Sequence, residues 1–158
     1  MKRCVVYFSA TGTTKILAEK FSKVINADLF EIIPKQPYTE DDLNWMDKNS
    51  RSSREMSDKN SRPEIENTIN IKDYDEIYLG FPIWWYTAPT IIKTFLCSQD
   101  FSNKIIYIFA TSGGSGLGKT DKDLAQCVDK SSKIVAMKVF ESSISGQSLK
   151  NEIEKYKI

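Results

Sequence analysis

Hydrophobic positions along the chain fall into short continuous runs separated by stripes of helical spacing. Cys4 to Phe8 is apolar throughout and stops at Ser9. A run that is too short for a helix and does not alternate predicts a strand covered on both faces. Leu17, Phe21, Val24 and Ile25 then recur at i, i+4, i+7 and i+8, which predicts a helix over Gly12 to Ile25, closed by Asn26. Leu29 to Ile33 reads as a second strand ended by Pro34. Strand, helix and strand at this spacing form a βαβ unit with parallel pairing and a right-handed crossover.

The same alternation continues downstream. Ile77 to Phe81 predicts a third strand ending at Pro82, and Ile91, Ile92, Phe95 and Leu96 mark the helix that Pro89 opens. Ile105 to Ala110 predicts a fourth strand, followed by a helix carrying Leu124, Ala125 and Val128. Ile134 to Phe140 predicts a fifth strand, with Lys138 suiting an edge position, and Leu149, Ile153 and Tyr156 a closing helix. Five strands alternating with helices predict an α/β domain over residues 1–158. Its architecture is a doubly wound five-stranded parallel sheet of order 2-1-3-4-5 with helices on both faces.

Residues 34–67 break the alternation. They are polar, carry charge of both signs and are bounded by Pro37 and Pro63. Thr39 with Asp42 predicts a capping box and a short helix over Thr39 to Asp47. The pentapeptide Asp-Lys-Asn-Ser-Arg occurs twice, at 47–51 and 58–62; eleven residues apart, two copies in one helix would share a face, but chance similarity in a solvated segment is the simpler reading. The segment predicts an elaborated second crossover, of a length that in a loop without a core role often serves function.

Composition narrows the chemistry. Lys and Arg number 22, Asp and Glu 21, for a formal net charge of +1, so neither a polybasic nucleic-acid binder nor an acidic tail is expected. The apolar runs are far shorter than the ~20 residues that span a bilayer, so no membrane insertion is expected. The apolar run after Met-Lys-Arg ends at Ser9, too soon for the core of a signal peptide, and a cytoplasmic location is expected. No histidine is present, which removes the Ser-His and Cys-His nucleophile systems and histidine general bases. Cys4, Cys97 and Cys127 have no CxxC spacing and read as core residues rather than as a disulfide framework or metal site.

In the order 2-1-3-4-5 the loops after strands one, three and four converge on one site. The first carries Ser9, Thr11, Gly12, Thr13 and Thr14 ahead of a helix, so hydroxyls, backbone N–H groups and the positive end of the helix dipole suit a phosphate. The second, Pro82, Ile83, Trp84, Trp85 and Tyr86, offers indoles for which a planar ring is natural cover. The third, Thr111, Ser112, Gly113, Gly114, Ser115 and Gly116, lets backbone approach a flat ligand. A rival reading comes from Gly113 to Thr120, GGSGLGKT, which matches the P-loop pattern and would make the chain an NTPase with Lys119 on phosphates and Thr120 on magnesium. Against it, Thr120 with Asp123 reads as a capping box that would hold Thr120 outside its helix, no later strand ends in the metal-holding Asp, and the first loop and the tryptophans go unexplained.

Through the S-x-T-G-T-T turn, the P-I-W-W-Y segment and the T-S-G-G-S-G loop, the chain resembles the flavodoxin family over essentially its full length, in the short-chain form. The resemblance implies FMN as cofactor, its phosphate on Ser9, Thr11, Gly12, Thr13 and Thr14 and its isoalloxazine between the loops at Pro82 to Tyr86 and Thr111 to Gly116. It implies electron transfer through the bound flavin, with redox proteins or a small electron acceptor as partners. An alternative that the resemblance also implies is a flavin-dependent NAD(P)H oxidoreductase acting on a quinone-like acceptor. In it the 34–67 crossover would help cover the flavin, and Arg51, Arg54 and Arg62 would be candidate contacts for a dinucleotide or substrate, against the simpler reading of a solvated face. Flavodoxins are usually strongly acidic, whereas this chain is close to neutral.

Overall fold

The computed structural model describes all residues 1–158. Its strands are β1 (Arg3–Tyr7), β2 (Asp28–Glu31), β3 (Glu76–Pro82), β4 (Ile105–Thr111) and β5 (Lys133–Val139). They form one parallel sheet in the order β2-β1-β3-β4-β5. The helices are α1 (Thr13–Ile25), α2 (Arg51–Ser57), α3 (Thr90–Cys97), α4 (Thr120–Ala125) and α5 (Gly146–Glu154).

Strand side chains alternate between two cores. Cys4, Val6 and Phe8, with Ile77, Leu79, Phe81, Ile106 and Ile108, join Ile91, Ile92, Phe95, Leu96 and Leu124 on the α3–α4 side. Val5, Tyr7, Tyr78, Tyr107 and Phe109 join Leu17, Ala18, Phe21, Leu149 and Ile153 on the α1–α5 side. Both faces are covered, which is why β1, β3 and β4 read as unbroken apolar runs. β5 lies at the edge, where exposed Lys138 pairs with Glu152 at 3.5 Å. Cys4 is fully buried, and its thiol is pushed up to about 12, first by desolvation. Cys127 is half-buried, but Cys97 is exposed at the end of α3, so the expectation that all three thiols are core residues fails for Cys97. No helix is long and apolar enough to cross a membrane.

The 34–67 segment departs most from expectation. Thr39 and Asp42 do form the reciprocal capping bonds, Thr39 N–H donating to Asp42 Oδ2 at 3.0 Å and Asp42 N–H to Thr39 Oγ1 at 3.1 Å. That bonding, the Thr39 N–H first, holds the Asp42 carboxyl below its ordinary range. The chain nevertheless makes turns over 40–47 rather than the expected helix. The helix comes later, at α2, capped by Ser50, which accepts from Ser53 N–H. The two pentapeptide copies flank α2 and adopt the same turn: Asn49 N–H donates to Asp47 Oδ1 and Asn60 N–H to Asp58 Oδ1, both at 2.9 Å.

Candidate functional site

The carboxyl ends of β1, β3 and β4 open onto a cleft of about 610 Å³. Its walls bring together Thr11 and Thr14 of the first loop, Pro82 to Tyr86 of the second and Thr111 to Ser115 of the third. The strand ends hold these loops in place: Phe8 N–H donates to Gly80 O at 3.0 Å and Ile83 N–H to Thr111 O at 2.9 Å. The first and third loops are joined by Thr14 Oγ1 and Thr111 Oγ1, 2.8 Å apart and both buried. Ser9, Gly12, Thr13 and Gly116 lie off the cleft lining, as Ala10 does not.

Each loop has its own internal order. Gly12 caps α1 at φ +93°, a left-handed conformation for which glycine is suited, and its N–H donates to Ser9 Oγ at 3.0 Å. The N–H groups of Thr13, Thr14 and Lys15 open α1 with no acceptor in the chain, since the first helical bond runs from Ile16 N–H to Gly12 O. The exposed hydroxyls of Thr11 and Thr13 lie beside them, only 3.4 Å apart.

In the second loop, Trp84 and Thr87 exchange backbone hydrogen bonds of 2.9 and 3.1 Å around Trp85-Tyr86. Both central residues have positive φ, 48° and 66°. This is the two-residue hairpin arrangement that favours Asn-Gly, here occupied by two aromatics at a cost in backbone strain. The roles of the two indoles diverge. Trp84 is half-buried, edge-on to Phe8 at 5.8 Å and to Tyr38 at 5.4 Å. Trp85 and Tyr86 are 43% and 75% exposed at the cleft.

In the third loop Ser112 Oγ accepts from Gly114 N–H at 3.1 Å and Ser115 N–H at 2.9 Å. A Cβ at Gly113 or Gly114 would meet no atom within 4 Å. Nothing inside the chain excludes a side chain there, whereas a ring laid against the backbone would.

The rest of GGSGLGKT does not assemble as a P-loop. Thr120 is fully buried as the first residue of α4, and its hydroxyl donates to Leu117 O. The expected Thr120–Asp123 capping box does not form, because Asp123 Oδ2 accepts instead from Thr87 Oγ1 at 2.7 Å. Thr120 therefore sits inside the helix, contrary to that expectation, yet its hydroxyl is committed and away from solvent. The NTPase reading is left without support.

Three lining residues come from the crossover, Leu43, Trp45 and Ser52. This wall was not singled out in the sequence; the only local hint of it is Trp45, an indole in a polar stretch, which is 70% exposed. Two of the three candidate arginines serve the crossover itself, whereas Arg54 is exposed and lies outside the cleft lining. Arg51 stacks on Tyr38 at 3.8 Å, and its Nε donates to Glu55 at 3.0 Å; Arg62 donates to the carbonyls of Lys59 and Ser61. Tyr38 donates to Glu55 at 2.6 Å, and burial first, then this bond, raises its phenol.

Fold and cleft together define a doubly wound α/β protein with a cleft at the sheet's carboxyl edge, lined by aromatic rings, hydroxyls and glycine backbone. The chain belongs to the flavodoxin family, whose model, described as Flavodoxin, matches residues 2–156. A protein of Bacteroides eggerthii DSM 20697, provisionally assigned as a flavoprotein, is 38% identical, with 99% of this chain and 98% of that one aligned at a TM-score of 0.89. Another of that provisional assignment, from Bacteroides uniformis ATCC 8492, is 40% identical over 97% of both chains at a TM-score of 0.83. A flavoprotein of Lactobacillus acidophilus NCFM, solved in complex with FMN, shares the fold at 22% identity and a TM-score of 0.71, over 98% of this chain and 97% of that one. No curated protein matches the chain.

Proposed function

We propose that this chain is an FMN-binding electron-transfer flavoprotein. The observation that carries the reading is a cleft in which three surfaces meet: the exposed rings of Trp85 and Tyr86, glycine backbone at Gly113-Gly114 and, at its margin beside Thr11 and Thr14, the open N-terminus of α1. These residues fit FMN. The N–H groups of Thr13 to Lys15 and the hydroxyls of Thr11 and Thr13 would hold the phosphate, aided by the α1 dipole. Trp85 and Tyr86 would cover one side of the ring, and the Gly113-Gly114 backbone would lie against it. Bound there, FMN supplies the redox chemistry by taking up and releasing electrons.

The chain's own contribution is binding, orientation and exclusion of water. No carboxylate, amine, guanidinium or thiol lines the cleft, so the site offers no side chain suited to proton transfer near neutral pH. The same neutrality favours a carrier over an NAD(P)H oxidoreductase. Of the candidate dinucleotide contacts, Arg51 and Arg62 are engaged within the crossover, and Arg54 is exposed and lies outside the cleft lining. Anaerobic mixing of the FMN-loaded protein with NADH or NADPH tests this choice. The yellow oxidised band is expected to persist for minutes with either nucleotide and to bleach once a partner reductase is added. Rapid bleaching by a nucleotide alone would make the protein an oxidoreductase.

A further inference from the structure

Four side-chain oxygens are buried without a hydrogen-bond partner, those of Ser52, Tyr78, Thr90 and Thr94. Ser52 is the one on the cleft wall. It stands in the first turn of α2 and is 1% exposed. The hydroxyls around it are satisfied: Ser50 Oγ donates to Ser53 Oγ at 2.9 Å, and Ser53 Oγ to Asp47 O at 2.7 Å. The Ser52 N–H is committed too, donating to Asp42 O at 2.9 Å. A buried hydroxyl with no partner destabilises the free protein, and alanine would suit this helical position better on propensity and desolvation alike. The hydroxyl becomes favourable when something in the cleft bonds to it.

The crossover is fixed so as to present this residue. Arg51 lies on the ring of Tyr38 at 3.8 Å and bonds Gln36 O at 2.7 Å, while its Nε and the Tyr38 hydroxyl both reach Glu55. Tyr38 in turn meets Phe8 at 5.6 Å and Trp84 at 5.4 Å. The aromatic group that seats the second loop thus also anchors α2. Resting on the FMN reading above, we propose that the Ser52 hydroxyl hydrogen-bonds the polar edge of the bound flavin ring, which makes the crossover a fourth wall of the site.

The test is Ser52→Ala, with Ser52→Cys as a second, near-isosteric variant. It measures the melting temperature of the apoprotein and titrates both FMN and riboflavin by flavin fluorescence. The apoprotein of Ser52→Ala is expected to melt no lower than the wild type. Affinity for both FMN and riboflavin is expected to fall by the same factor, about fivefold to tenfold, because the lost bond is to the ring and not to the phosphate. Unchanged affinities in the variants would overturn the role of Ser52 and leave FMN binding intact. A loss confined to FMN would also overturn it, by moving the contact to the phosphate. No FMN uptake by the wild type would overturn the parent reading together with this one.

Discussion

Exchanging Trp85-Tyr86 for Asn-Gly is expected to raise the melting temperature of the apoprotein while removing most of its affinity for FMN. The two aromatics occupy the centre of a two-residue hairpin turn with φ of 48° and 66°. For an L-residue with a Cβ, left-handed backbone costs about 1–2 kcal/mol per position. Asn-Gly is the pair that this turn prefers, and the flanking Trp84–Thr87 bonds need no side chain from either position. Relief of about 2 kcal/mol corresponds to a rise of about 5 °C for a chain of this size. Both rings stand exposed at the cleft, and on the proposed reading the strain is retained because the flavin covers them. Stacking of an aromatic side chain on a heteroaromatic ring is worth about 1–3 kcal/mol, so losing both rings should weaken FMN binding about 100-fold. A drop in apoprotein stability would show that the turn is not strained. Unaltered FMN affinity would show that the rings do not cover the flavin.

Gly80→Ala is expected to destabilise the protein by about 2–3 kcal/mol, lowering its melting temperature by about 5–10 °C. A Cβ on Gly80 would overlap Cζ and Cε2 of Phe109 and stand 3.1 Å from its Cε1. Phe109 cannot swing aside cheaply. Its ring is fully buried and stacked on Phe21 at 3.9 Å and 13°, and Phe21 is edge-on to Phe140 at 5.6 Å. Gly80 also accepts from Phe8 N–H at the point where the first loop leaves β1, so a shift of β3 would reach the cleft. The double variant Gly80→Ala/Phe109→Leu should recover part of the loss, since the shorter side chain vacates the overlapping atoms. Thermal unfolding followed by circular dichroism measures both. An Ala variant as stable as the wild type would mean that Phe109 has room to rotate.

Much of this architecture was legible because buried parallel strands announce themselves. Cys4 to Phe8, Ile77 to Phe81 and Ile105 to Ala110 are apolar on both faces, and the topology then brings their three following loops together. The structure moves the strand ends by a residue or two: β1 gains Arg3 and ends at Tyr7, Glu76 and Pro82 join β3, Thr111 joins β4, and the second strand runs Asp28–Glu31 rather than Leu29 to Ile33. Helix ends were less legible. Val128 and Tyr156 continue the apolar spacing of α4 and α5 but lie beyond Ala125 and Glu154, where those helices stop.

The crossover was misread for a definite reason. Thr39 and Asp42 carry a local signal that does form, but a capping box fixes one turn and cannot extend a helix whose next residues lack a buried stripe. α2 depends on contacts across the sequence, Arg51 with Tyr38 and Glu55 with Tyr38, that no local window contains. Its contribution to the cleft through Ser52 was hidden for the same reason, and Trp45 was the one local hint of this wall. Asp123 teaches the same lesson: its expected local bond to Thr120 lost to a hydroxyl 36 residues away, that of Thr87.

Comparing FMN with riboflavin, which lacks the phosphate, tests the central claim that the first loop holds an anion while the other loops hold a ring. Apoprotein should be titrated with each flavin by fluorescence, for the wild type and for the Thr11→Val/Thr13→Val and Lys119→Ala variants. The wild type is predicted to bind FMN at least 100-fold more tightly than riboflavin, since several N–H and hydroxyl donors to a dianion each contribute about 1 kcal/mol or more. The double Val variant should narrow that gap about tenfold or more without weakening riboflavin binding, and Lys119→Ala should leave it within about twofold. Equal affinity for the two flavins, or a gap that closes in Lys119→Ala and survives in the double Val variant, would contradict the account.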